Sequence, residues 1–137
     1  MGAIVLFVLA KLAAYCIFCA QAPRWFEFPE PNLRSFGLRW GASRLLIGIA
    51  AGFPIAFIFA MTVDSGWPFA LSYAVSFVPA RYVEWFALFI LMARSRTLTF
   101  GVRANTWMMM GVALSVAFDF VFFWTVAAGN VNLKFVC

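Results

Sequence analysis

The sequence contains no histidine, and only 11% of its 137 residues are charged. A soluble domain carries about a quarter. Without histidine the chain lacks the commonest metal ligand and the side chain that titrates near neutrality. Histidine-ligated haem is excluded with it. The cysteines, Cys16, Cys19 and Cys137, are too few for a disulfide framework. No glycine-rich phosphate loop, zinc-ligand spacing or Ser/His/Asp set occurs. Asp, Glu, Arg and Tyr can do acid–base work, but nothing in the pattern aims them at a substrate. No catalytic residue is assigned, and the reading leans away from an enzyme.

What the chain has is apolar mass. It is 66% hydrophobic and 20% aromatic, with a mean hydropathy of +0.96. A soluble fold cannot hide that much apolar surface, so the chain reads as an integral membrane protein. Four apolar segments, 2–21, 44–63, 68–93 and 106–128, each reach the length of about 20 residues that a spanning helix needs. Short alternating segments of the β-barrel kind are absent. The expectation is one all-α membrane domain over 1–137, a four-transmembrane-helix bundle.

The first connection, 22–43, starts with Pro23, Pro29 and Pro31. Asn32 then offers a side-chain cap, and 32–42 mixes Leu33, Phe36, Leu38 and Trp40 with Arg34 and Arg39. That mixture predicts a short interfacial helix before span two. Lys11 in its centre and the lack of a basic start make the first segment a span rather than a cleaved leader.

Net charge is +5. Arg24, Arg34, Arg39, Arg44, Arg94, Arg96 and Arg103 fall on one side of the spans, against Lys134 on the other. Basic residues stay cytoplasmic, which places both termini on the non-cytoplasmic side. The same bias accounts for the charge without nucleic acid. Arg34, Arg39, Arg44, Arg94, Arg96 and Arg103 are expected to meet anionic lipid headgroups.

The stretch VPARYVEWF, residues 78–86, sets Arg81 and Glu84 inside span three. A charge at the bilayer centre costs at least ~2.5–3.5 kcal/mol, so such residues face the bundle interior and pair. Helical rise puts Arg81 roughly 18 Å from the cytoplasmic end, Glu84 and Lys11 roughly 14 Å, and Asp119 roughly 20 Å. Matching depths predict Arg81 with Asp119, Lys11 with Glu84, and an i, i+3 pair between Arg81 and Glu84. The four charges sum to zero. A carboxylate held by arginine suits a structural clamp better than a proton relay, although buried carboxylates also mark ion pathways.

Three weaker patterns remain. Cys16 and Cys19 form a CxxC near one end of span one, and Met108–Met110 begin span four on the same side. Thiolates and thioethers suit Cu(I), so Cys16, Cys19 and Met108 are the candidate soft-metal ligands; no other cofactor is indicated. The plainer reading is that Cys and Met fill apolar space. Gly48 and Gly52 form a GxxxG, and Gly111 with Ser115 repeats the spacing, which predicts close helix packing. Trp25, Trp40, Trp67, Trp107 and Trp124 sit near span ends, as in an aromatic belt.

These features favour a small non-catalytic subunit or helix-packing partner of a larger membrane assembly. Its partners would be the lipid bilayer and other membrane proteins or further copies of itself. The alternatives are a small proton- or ion-coupled transporter using Arg81, Glu84, Asp119 and Lys11, and a copper-handling protein.

Overall fold

The computed structural model describes residues 2–96 and 98–127. Lys134, Cys137 and the Arg96 side chain lie outside the described residues. The order is α1 (Gly2–Ala20), α2 (Ala22–Trp25), α3 (Leu33–Asp64), α4 (Phe69–Arg96) and α5 (Val102–Ala127). Four of these helices, α1 continued through α2, α3, α4 and α5, are long and apolar enough to cross a membrane. Together they form an all-α bundle.

Local chemistry sets the joints. Asn32 Oδ1 accepts the Ser35 amide at 3.0 Å and starts α3, satisfying one of the amides a helix start leaves open. The turn after α3 uses Gly66 at φ 83°, a left-handed conformation that glycine adopts without a Cβ clash. Pro54 and Pro79 lie inside α3 and α4 without ending them.

The expected interfacial helix is not a separate element. Residues 33–42 are the opening turns of the 32-residue α3, which runs unbroken into span two. Close approach to α1 explains why. A Cβ on Gly37 would lie 2.5 Å from the Cys16 carbonyl oxygen, and one on Gly41 would lie 2.6 Å from the Cys16 amide nitrogen. With hydrogen at both positions the two backbones touch, and Phe36 and Trp40 turn into the core.

Aromatic side chains fill the bundle on either side of a polar layer. Towards the α1–α3 connection, Trp85 and Trp107 meet edge to face at 5.2 Å, with Phe18, Phe26 and Phe89 around them. Towards the α3–α4 turn, Phe59, Phe69, Tyr73, Phe77 and Phe123 form a second ring cluster. Trp25, Trp67 and Trp124 are exposed, but Trp40 and Trp107 are core residues, 8% and 1% exposed. Proximity to a span end did not decide their depth.

Candidate functional site

Five ionisable side chains meet between the two aromatic clusters. Lys11 of α1 donates to Asp119 of α5 at 2.7 Å. Arg81 of α4 reaches the other Asp119 oxygen through Nε at 3.0 Å and Nη2 at 2.9 Å. Its Nη1 lies 3.0 Å from both Glu84 oxygens, one helical turn along. Arg44 of α3 closes on Glu84 from the far side. The path Lys11–Asp119–Arg81–Glu84–Arg44 therefore ties together all four spans, with every link inside the bundle.

Two of the expected features change. Lys11 pairs with Asp119 rather than Glu84, because Arg44 occupies the Glu84 side. Arg44 is not a headgroup ligand, since it is fully buried. The unbroken α3 gives the reason: counted from Leu33, Arg44 lies about three turns into the helix and not at a span's edge. The cluster is therefore not neutral. Three cations face two carboxylates, and one positive charge is left over.

Ser115 is the second centre of the site. Its hydroxyl oxygen lies 3.0 Å from the Tyr15 hydroxyl and accepts from Trp85 Nε1 at 3.0 Å and Arg44 Nη2 at 3.3 Å. It donates back to the Gly111 carbonyl at 3.0 Å. Gly111 must be small for another reason, because a Cβ there would sit 2.5 Å from the Trp85 ring. The Arg44 guanidinium lies over the rings of Tyr15 and Trp85 at 5.2 Å and 5.0 Å, where desolvated cation–π contacts contribute about 2 kcal/mol. Arg44 Nε and Nη1 have no hydrogen-bond partner.

The other predicted residues fall in different places. At Gly48 an added Cβ would lie 3.0 Å from Arg44 Nη1, so this glycine makes room for a guanidinium and not for another helix backbone. At Gly52 nothing lies within 4 Å. Cys19 and Met108 are buried core residues, and Cys16 is partly buried with Sγ against Gly41. Both cysteines are free. Among the described residues no group of three or more His, Cys, Asp or Glu side chains converges as a metal site. Arg34, Arg39, Arg94 and Arg103 are exposed. Arg103, in the first turn of α5, pairs with Glu27 of the connection between α2 and α3 at 2.7 Å.

A cleft of about 170 Å³ reaches the cluster from outside, between α1 and α3. Its lining includes Lys11, Arg44 and Arg81 together with Phe7, Leu45 and Gly48. The chain matches no protein-family model, no curated protein and no solved structure.

Proposed function

We propose that this protein is a small non-catalytic subunit, or helix-packing partner, of a larger membrane assembly. The observation that carries the reading is the use made of the buried charges. Glu84 and Asp119 each meet two cations, and the contacts link α1 to α5, α5 to α4 and α4 to α3. Such a path resists splaying of the helices, because breaking one buried pair costs about 3–5 kcal/mol. A rigid four-span body with little mass in its connections suits a structural role. The open notch at Gly52, beside the exposed Phe53 and Phe57, gives α3 an outer face on which another helix can pack closely.

The test is gentle solubilisation from native membrane, followed by native mass measurement and identification of co-migrating chains. A stoichiometric set of other membrane proteins supports the reading, and a lone monomer overturns it. A second reading, a small ion-coupled transporter, draws on the cleft that opens onto the cluster. It predicts flux in liposomes that Asp119→Asn abolishes.

A further inference from the structure

The uncompensated charge has a place to be answered. Lys11, Arg44 and Arg81 line the cleft between α1 and α3, while Glu84 and Asp119 lie behind them and do not line it. Lys11 is the cation nearest the opening, with 13% of its side chain exposed, and Arg44 forms the floor. Of the two unpartnered nitrogens of Arg44, Nη1 lies beside Gly48 of the cleft wall. A buried donor without a partner and a buried charge without a counter-charge are both costly in hydrocarbon. A single monovalent anion in the cleft supplies the missing counter-charge.

The walls specify what carries that anion. Tyr15 and the apolar Phe7, Val8, Leu45 and Ile49 complete the lining, and Val8 and Ile49 at the rim are 40% and 54% exposed. The cleft thus opens sideways, onto the surface that faces lipid acyl chains. Lys11 lies roughly 14 Å from either end of α1, near the bilayer middle, where a phospholipid headgroup does not reach. A carboxylic acid on one long apolar chain can get there. Its neutral form passes through hydrocarbon, and it ionises against the cations with its proton released to the aqueous phase.

We infer that the α1–α3 cleft binds the carboxylate of a long-chain fatty acid, with the headgroup against Lys11 and Arg44 and the chain lying over Val8 and Ile49 in the bilayer. Binding here is independent of whether the protein has a partner in the membrane.

Palmitate is the probe. The full chain in neutral detergent is titrated with radiolabelled palmitate, with unlabelled palmitate, hexadecanol and acetate as competitors. Saturable binding is expected, with hexadecanol and acetate each competing at least about tenfold less well. Ile49→Trp fills the rim without touching an ion pair and should weaken palmitate binding at least about tenfold at an unchanged melting temperature. Val8→Trp, on the opposite wall, makes the same test should the first variant not fold. Absence of saturable binding overturns the inference. Equal competition by hexadecanol means an apolar groove with no use for the charge. Equal competition by acetate means a small-anion site open to water. Wild-type affinity in the rim variants places any bound palmitate elsewhere. Each of these four results rejects the assignment.

Discussion

Arg44 of α3 and Glu84 of α4 form a fully internal ion pair at 2.5 Å, with side-chain exposures of 0% and 3%. Glu84 is also the contact through which Arg81 reaches that side of the bundle. One carboxylate therefore answers for two guanidinium groups.

Glu84→Gln keeps the shape and removes the charge, leaving both arginines short of a partner. A loss of about 3–5 kcal/mol is expected, read as a clear fall in melting temperature by intrinsic tryptophan fluorescence in detergent. An unchanged melting temperature would show that the cluster does not hold the bundle together.

Ser115→Ala removes one hydroxyl on which Tyr15, Trp85 and Arg44 all converge. An unsatisfied buried donor costs about 1–3 kcal/mol, so this variant should lose more stability than a single hydroxyl suggests. Ser76→Ala is the comparison, since the Ser76 hydroxyl is buried with no hydrogen-bond partner. Equal melting temperatures for the two variants would deny Ser115 its central place.

The glycines of α3 should divide by position. Gly41→Ala pushes a methyl group into the Cys16 backbone, which cannot swing aside as a side chain can. A loss of about 1–3 kcal/mol is expected from such overpacking. Gly52→Ala meets open space and should hold or raise stability, because alanine favours helix by about 1 kcal/mol over glycine. Gly52→Leu should leave the isolated chain equally stable while weakening any assembly that uses the notch. Thermal melting and native mass report the two effects separately.

The spans were legible because length and apolar content are read directly from composition. The layer holding Arg81 and Asp119 was legible because helical rise converts residue number into depth. Arg44 was not, and the reason is physical. A charge interrupts an apolar run, so a span read as 44–63 puts at its edge the very residue that lies buried within the helix. A better signal was present: Gly37, Gly41, Arg44 and Gly48 follow i, i+4, i+7 and i+11 along one helix face. Three small residues and a cation in one stripe mark a face in close contact with another helix, with one deep charge. Gly37 and Gly41 are themselves a GxxxG, masked by the neighbouring Arg34 and Arg39, which mark a surface segment by composition. Once Arg44 is placed inside, its competition for Glu84 accounts for Lys11 turning to Asp119.

The seam between α1 and α3 is uneven along its length. Near Cys16 and Ala20 the two helices touch across Gly37 and Gly41, with main-chain atoms of Cys16 against both glycines. By Lys11, five residues before Cys16, the seam has become a cleft, and the Lys11 ammonium is held from behind it by Asp119 of α5. α1 thus meets α3 main chain to main chain near its carboxyl end, and further back it is held to α5 by the Lys11–Asp119 pair and by Phe7 against Phe118 and Phe122. A swing of the amino-terminal half of α1 about the glycine contact would widen the cleft only by giving up the Lys11–Asp119 pair and the Phe7 ring contacts with α5.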